Sequence, residues 1–395
     1  MTKAAKAPPA VLMLLHGLYF GGAEVAVRNL AVGLRDAGAR PVVCAWRFAG
    51  ELKERLAADG IAVVGPVTAS GGWARALVPH RLRRIVRQVG ADLIHAHMSD
   101  SAVWAMLHSW LSGRRFVITH HSANLIDNAV PNGTVQGWFR YLLLRICARR
   151  AAINIAVSQT VRDALVREAG LDPKQVTVIP NGIPLPDAAA VERAMTERRA
   201  RVAGTCGAER PSDQRGPLVL YLGRLSREKG VDLLLAAVPQ IAERFPQCRI
   251  VLLGDGPETP ALRAQAERLG IAPLVEMPGR VVDVSVWLRQ ADVVVLPSRV
   301  EGLPMVILEA LSWGVPIVAT AIPPSRELLR DGALGRLCEP EQADALAAAT
   351  IATLANGDAA NEDKAERGLA LVRQCYGIAA VAESHLDVYR RVMEH

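Results

Sequence analysis

The stretch "SRVEGLPMVILEALSWGVPIVAT", residues 298–320, is where the fold is decided. Its middle is an apolar helical run, and β-rich apolar runs lie at 292–296 and 315–319 on either side. The segment therefore reads as strand, loop, helix, strand. Short continuous apolar strands separated by helices imply a parallel sheet buried on both faces. Two carboxylates eight residues apart interrupt this pattern, Glu301 on the Gly-Leu-Pro loop and Glu309 inside the helical run. A charge packed among Ile307, Leu308, Ala310 and Leu311 needs a partner.

The same alternation extends over the whole chain. Further strand candidates fall at 10–15, 41–46, 61–64, 92–96, 116–119, 153–157 and 176–179, then at 218–222, 249–253 and 274–277. Between the two sets lies a polar, Pro-bounded segment, 187–216, which reads as a linker with one helix. Two doubly wound α/β domains joined in this way leave a cleft between them, and such sheets bind ligands at the carboxyl ends of their strands. The Gly-rich loops fall at those ends: "HGLYFGGAE", "LGRLSREKG", "LLGDGPE" and "PSRVEGLP".

A chain of 395 residues fits two domains of ordinary size. Its six cysteines are scattered without a CxxC or His-rich spacing, which reads as reduced thiols in a cytosolic protein. No apolar run has the length of a membrane span. "VLMLL" near the start is too short for a secretory leader and reads as a first strand. The net charge of +7 is unevenly placed: residues 1–186 carry 22 Lys+Arg against 11 Asp+Glu, and residues 187–395 carry 24 against 28. The arginines in "HRLRRIVRQ" (80–88) and "FRYLLLRICARR" (139–150) form either ordinary solvated helix faces or a surface for an anionic partner. Nucleic acid is excluded as that partner, because no aromatic-interleaved basic stripe or finger spacing accompanies the charge.

Three constellations carry chemistry. In "YLGRLSREKGVDLLL" (221–235) a strand ends at Gly223, and Arg224 and Lys229 precede a helix start. Two cations there oppose the helix dipole unless an anion, phosphate foremost, binds between them; the alternative is pairing with Glu228 or Asp232. In "FGGAEVAVRNLAVGL" (20–34), Gly21 and Gly22 either let a ligand approach the backbone or form a plain turn, with Glu24 in the first helical turn. Glu309 either accepts hydrogen bonds from a vicinal diol such as a ribose, with Glu301 nearer the reactive end, or both acids bond backbone N–H groups.

The order "GGAE" (21–24), "THHS" (119–122), "VSQTVRD" (157–163), "VIPNGI" (178–183), "GRLSREKG" (223–230), "GDGPE" (254–258) and "EGLPMVILE" (301–309) resembles the retaining glycosyltransferases of family four. The resemblance runs from about residue 11 to 340 and includes the E-x7-E and GR…K patterns. It implies the GT-B architecture, two facing Rossmann-like doubly wound domains with an interdomain cleft: an acceptor-binding domain at 1–186, the linker at 187–216 and a nucleotide-sugar domain at 217–372. A last helix at 373–395 is expected to cross back to the first domain. Carried over by position, Arg224 and Lys229 hold the donor diphosphate, Glu309 the ribose, and Glu301 approaches the donor sugar. Gly22, Gly223, Leu303, Met305 and Val306 line the donor through backbone, and Arg280 and Val281 meet the base. The T-x-H pattern puts the catalytic-region histidine at His121, with His120 as the lesser candidate. His97 lines the acceptor cleft or is a structural histidine at a strand end. One departure stands out: Pro323 and Pro324 occupy positions where the family often shows Gly-Gly, which leaves the neighbouring Glu327 out of the expected site.

The chemistry implied by this resemblance is sugar transfer from a nucleoside diphosphate to a hydroxyl with retained configuration. It needs no cofactor or metal, since no D-x-D motif is present and fixed cations take its place. A UDP-sugar is the default donor and a GDP-sugar the second choice. The basic first half suits a sugar or lipid-linked acceptor, with Trp138 and Phe139 on a docking helix, and thus a cytoplasmic enzyme peripheral to the inner membrane face. Two other classes compete. A nucleotide-sugar epimerase shares the two-domain plan but not this motif order. A non-catalytic sugar-nucleotide binding protein would keep Glu309 and lose His121 and Glu301.

Overall fold

The computed structural model describes residues 9–18, 21–47, 50, 52–65, 78–97, 99–122, 135–202, 216–355 and 359–394. The chain divides into two compact units, Met1–Pro184 together with Tyr376–His395, and Leu185–Cys375.

The first unit runs β1 Ala10–Gly17, α1 Gly22–Asp36, β2 Arg40–Arg47, α2 Leu52–Ala58, β3 Ala62–Val64, α3 Val78–Val89 and β4 Leu93–His97. It continues through α4 Ser99–Ser112, β5 Phe116–His120, α5 Val135–Arg150, β6 Ile153–Ala156, α6 Gln159–Arg167 and β7 Val176–Val178. Its seven strands are ordered β3-β2-β1-β4-β5-β6-β7, all parallel. Strand β1 shows why the sequence is continuously apolar. Val11, Met13 and Leu15 face one core while Leu12 and Leu14 face the other, and all five are at most 1% exposed.

The second unit opens with α7 Ala188–Val202, then β8 Leu218–Leu222, α8 Val231–Arg244, β9 Arg249–Leu253, α9 Thr259–Arg268, β10 Val275–Gly279 and α10 Ser285–Gln290. After these come β11 Val293–Leu296, α11 Met305–Ser312, β12 Ile317–Thr320, α12 Pro323–Leu328, β13 Arg336–Cys338, α13 Ala343–Ala355 and α14 Ala359–Cys375. Its six parallel strands are ordered β10-β9-β8-β11-β12-β13. Each expected strand is present within two residues of its predicted ends; the three-residue β13 was not foreseen.

The last helix, α15 Ile378–Glu394, belongs to the first unit. It packs on α1, where a Cβ on Gly33 would lie 2.4 Å from Ile378 Cγ2, and it adds Val381, Leu386, Val388 and Tyr389 to the first core.

The segment expected as a linker with one helix carries that helix, and the helix is part of the second unit. Residues 188–202 are helix α7 of the second unit, held by Val191, Ala194 and Arg198 at i, i+3 and i+7. Arg198, 6% exposed, reaches the carbonyls of Ala291 (2.8 Å), Gly314 (2.8 Å) and Leu288 (3.3 Å). An arginine on an apolar stripe makes the stripe read as polar, which is why the segment resembled a linker. The rest of that linker, 203–215, lies outside the described residues. Among the described residues no helix is long and apolar enough to cross a membrane.

Arg198→Ala should leave three carbonyls without donors and lower the stability of the second unit by about 2–4 kcal/mol. Urea unfolding followed by tryptophan fluorescence checks this; an unchanged midpoint would remove Arg198 from the fold's essential contacts.

Candidate functional site

In each sheet the strand order reverses between two neighbours, β1 and β4 in the first unit and β8 and β11 in the second. Loops leaving such a pair at their carboxyl ends diverge and open a crevice. The predicted residues cluster at both of these points.

In the second unit, β8 ends at Leu222 and the chain turns through Gly223 and Arg224 into the short turn Arg227–Lys229 before α8. Strand β11 ends at Leu296 and leads through Ser298 and Glu301 into α11. Two glycines let these loops touch. Gly230 has φ +65° and a Cβ there would sit 2.1 Å from the Pro297 carbonyl oxygen. Gly254, after β9, has φ +144° and its Cβ would lie 1.8 Å from the Gly223 oxygen.

Across the gap closed by Gly230, Lys229 Nζ donates to Glu301 Oε1 at 2.7 Å, and Ser298 Oγ donates to the same oxygen at 2.8 Å. Lys229 is therefore not the bare cation anticipated, and its partner is neither Glu228 nor Asp232. Ser226 Oγ donates to Glu228 at 2.6 Å, and Asp232 belongs to Arg299. The second oxygen of Glu301 has no partner among the described residues. The Arg224 guanidinium is exposed and makes no hydrogen bond or ion pair among the described residues, and it lies near enough to Glu228 to favour that carboxylate's charged form.

Arg299 fixes the two loops to each other. It donates to both Asp232 oxygens (2.7 and 2.8 Å), to both Glu341 oxygens (2.5 and 3.1 Å) and to the Arg227 carbonyl (2.7 Å), and its backbone N–H donates to the Glu228 carbonyl at 2.8 Å. Its guanidinium holds the Asp232 carboxyl below the usual range. Thr320 donates to the Ser298 carbonyl and secures the loop from behind.

Glu309 lies in the middle of α11, with Ile307, Leu308, Ala310 and Leu311 buried around it. The residue is half-buried, and its carboxyl takes no partner among the described residues. Burial pushes its pKa up to about 7. Leu303 is buried; Met305 and Val306 begin α11 and expose the first-turn N–H groups that a helix leaves free. Arg280 and Val281 follow β10, two strands away from β8. Pro323 and Pro324 start α12, where their missing N–H groups cost nothing.

In the first unit, His97 ends β4, and Thr119, His120 and His121 end β5 or follow it. His97 Nδ1 lies 3.3 Å from His121 Nε2. The ring of His97 lies against His95, tilted by 39° with centroids 4.0 Å apart. His95 in turn sits 2.7 Å from the Tyr389 hydroxyl of α15 and 2.7 Å from Thr119 Oγ1. His120, half-buried, turns to Asn154 instead, at 2.9 Å, and makes no hydrogen bond with the His97–His121 pair. Burial pulls His121 down to about 3 and His120 and His385 to about 4, and sets His95 and His97 well below the usual histidine value. All five rings are therefore neutral at pH 7. Gly22 begins α1 behind the N-cap Gly21, and a Cβ on it would meet nothing within 4 Å. The open face is there, but the backbone does not require glycine.

Residues 20–186 match the family Glycosyltransferase Family 4, and residues 216–356 match Glycosyl transferases group 1. Phosphatidyl-myo-inositol mannosyltransferase of Mycobacterium tuberculosis is 30% identical over 385 residues, 94% of this chain and 93% of that one. The chain belongs to the family-four glycosyltransferases. Alpha-D-kanosaminyltransferase of Streptomyces kanamyceticus is 28% identical over 82% of the transferase and 83% of its own length. Anabaena HepE in complex with UDP has the same GT-B fold, with a TM-score of 0.78 at 23% identity, covering 97% of the transferase and 100% of that chain.

Several residues of the transferase's site were not found from sequence: Ser298, Arg299, His95 and Tyr389. Ser298 and Arg299 stand inside the quoted "PSRVEGLP" loop, yet nothing in that loop names partners in another. His95 had a signal in the alternation "HAH", and Tyr389 had none.

An acid with a raised folded pKa holds its proton more tightly folded than unfolded, so ionisation opposes folding increasingly from about pH 4.5 up to about 7. Glu309→Gln should therefore raise the melting temperature of the ligand-free transferase at pH 8, by the equivalent of ~1–3 kcal/mol, and change it little at pH 4.5. An equal shift at both values would show that Glu309 is not strained by its charge.

Proposed function

We propose that this glycosyltransferase moves a sugar from a nucleoside diphosphate to a hydroxyl with retention of configuration and without a metal. The observation that carries the reading is the half-buried Glu309 carboxyl, which has no partner among the described residues and follows, on the same loop and helix, the Glu301 that pairs with Lys229. A carboxylate in that state suits a ribose diol, which donates two hydrogen bonds to it. Arg224 and the N–H groups opening α11 then face the diphosphate, where negative charge grows as the sugar–phosphate bond breaks.

Lys229 contributes as one half of an ion pair. Paired with Glu301, it adds donors for phosphate oxygens without a full net charge. The transition state has oxocarbenium character, and in this reading the free oxygen of Glu301 faces that cation. The departing phosphate oxygen takes the proton of the acceptor hydroxyl as it attacks from the same face. His121, neutral through burial, positions the sugar and is not a base. UDP is the first donor base to test and GDP the second.

The acceptor is a sugar or a lipid-linked sugar. Two relatives, the mycobacterial mannosyltransferase and the phosphatidylinositol N-acetylglucosaminyltransferase gpi3 subunit of Schizosaccharomyces pombe, are named for phosphatidylinositol lipids. In this chain α5 exposes Trp138 (65%) and Phe139 (64%) on a helix that also carries Arg140, Arg145, Arg149 and Arg150. This pattern supports docking at an anionic leaflet. The purified protein should co-sediment with phosphatidylserine-containing vesicles at low salt and be released as salt rises. Failure to bind at low salt would leave a soluble acceptor.

Thermal-shift titration with UDP, GDP and ADP tests the donor site. A nucleotide at 100 times its dissociation constant stabilises by roughly 2.7 kcal/mol. One of the three should raise the melting temperature of the wild type and not of Glu309→Ala. No response to any of them would count against a preformed nucleotide site. Lys229→Ala should cut turnover by about 2–4 kcal/mol of transition-state stabilisation. Unchanged turnover in the folded variant would end its role.

A further inference from the structure

At the edge of the first sheet opposite its strand reversal, where β4 and β5 begin, α4 holds an unmet buried polar group. His108, in the last turns of that helix, is 2% exposed, and its Nε2 is buried without a partner among the described residues. Its surroundings are well fixed. Leu82 and Val86 of α3 share a core with Ala102 and Ala105 of α4, so the two helices lie side by side. Ser112 Oγ donates to the His108 carbonyl at 2.7 Å and accepts the Arg114 N–H at 3.3 Å. The Arg114 guanidinium in turn donates to the Ala91 carbonyl, two residues past the end of α3. His108 and Arg114 are thereby tied to one turn of chain, and that turn is tied to the end of α3.

Burial first, then the guanidiniums of Arg114 and Arg83, hold the ring below the usual histidine range. Both charges that bear on it are positive. Arg83 is exposed on α3 and makes no hydrogen bond or ion pair among the described residues, while Arg114 commits one nitrogen to Ala91. Helix α3 carries Arg81, Arg83, Arg84 and Arg87 and no acid of its own. An exposed arginine needs no partner, but a buried imidazole nitrogen does, since a polar atom cut off from water costs free energy unless it is bonded. Whatever meets Nε2 here must also sit beside two guanidiniums. A metal ion or an ammonium is repelled by both, and a neutral hydroxyl gains little from either. A phosphate accepts from an imidazole N–H and from two guanidiniums at once, because its oxygens point to different sides.

We propose that His108, Arg83 and Arg114 form an anion site for a phosphate group where α3 and α4 meet. The neutral ring donates through Nε2–H, Arg83 turns in from the surface, and Arg114 offers the nitrogens that Ala91 leaves unused. The site lies at the opposite edge of the sheet from His97 and His121 and does not depend on the transferase reading. Trp110, 78% exposed, and Leu111, 52% exposed, end the same helix. A phosphate carried by a membrane lipid brings apolar chains to that pair, and a soluble phosphate does not. The two sources of the same group can therefore be told apart.

The test is ¹⁵N–¹H correlation spectroscopy of the full chain labelled with ¹⁵N-histidine, with the His108 ring assigned by His108→Gln. Inorganic phosphate is titrated at pH 7 and constant ionic strength. The His108 nitrogens should shift saturably, with the proton on Nε2 in the bound state. Arg83→Ala should weaken the fitted affinity by about tenfold or more. Arg84→Ala removes the same charge from the next position of α3 and should weaken it by less than about twofold. Both arginines are exposed, and the remaining histidine signals report that each variant is folded. Equal losses in the two variants would reduce the site to diffuse charge, and an unmoved His108 signal would leave the ring to an internal water; either overturns the proposal. Phosphate held at the Arg224 loop instead would leave Arg83→Ala without effect, which also overturns it. Glycerol 3-phosphate and phosphatidylcholine bicelles containing phosphatidic acid then separate the sources. A lipid source predicts that the bicelles move His108 at lower phosphate concentration than glycerol 3-phosphate does, and that Trp110→Ser abolishes the difference. Equal responses to the two support the site and assign it a soluble phosphate.

Discussion

The geometry of the second unit's site depends on Arg299. Lys229 and Glu301 are 72 residues apart and meet at 2.7 Å only because β8 and β11 are paired and the loops leaving them are tied together. Arg299 makes that tie by bonding Asp232 and the Arg227 carbonyl on the β8 side and Glu341 beyond β12. Exposed ion pairs add little stability, and these side chains are partly exposed, so the network matters chiefly for position. A planar guanidinium with bidentate partners on both edges fixes direction as well as distance, which a lysine would not do. Displacements near 1 Å at a reacting centre are enough to cost rate, so under the proposed function holding Lys229 against Glu301 is worth more to chemistry than to folding.

Gly230 is the other half of that constraint. A side chain there would collide with the Pro297 carbonyl and push the turn carrying Lys229 away from the loop carrying Glu301. Arg299 pulls the loops together and Gly230 lets them come close. Neither residue needs to touch a substrate for the ion pair to depend on it.

The fold was legible because its dominant force leaves a local trace. A strand buried on both faces must be apolar at successive positions, and β1, β8 and β11 are. Site residues were legible where a loop's own composition conflicts with its surroundings, as with Glu309 in an apolar helix or Arg224 at the end of a buried strand. Contacts between distant segments leave no such trace. His95 and Tyr389 are 294 residues apart, and no property of either predicts the bond. Arg198 misled in a narrower way: a helix was expected in its segment, but its charge hid that the helix packs against the second unit. Strand β13, three residues with an arginine at its head, is too short to show a period.

The two units solve the problem of a buried polar group in opposite ways. Where charge is kept, in the second unit, it is paired or exposed: Lys229 with Glu301, Asp232 with Arg299, Arg224 open to solvent. Glu309 and Arg198 are the exceptions: the environment of Glu309 shifts it toward the neutral acid, and Arg198 is met by three backbone carbonyls. In the first unit the interior gives up charge altogether. Of five neighbouring imidazoles, those of His95, His97 and His385 are buried and those of His120 and His121 half-buried, and an additional proton would be opposed by burial and, for His95, His97 and His121, by the neighbouring rings. The excess positive charge of residues 1–186 therefore resides on surface arginines, while the polar groups within are neutral.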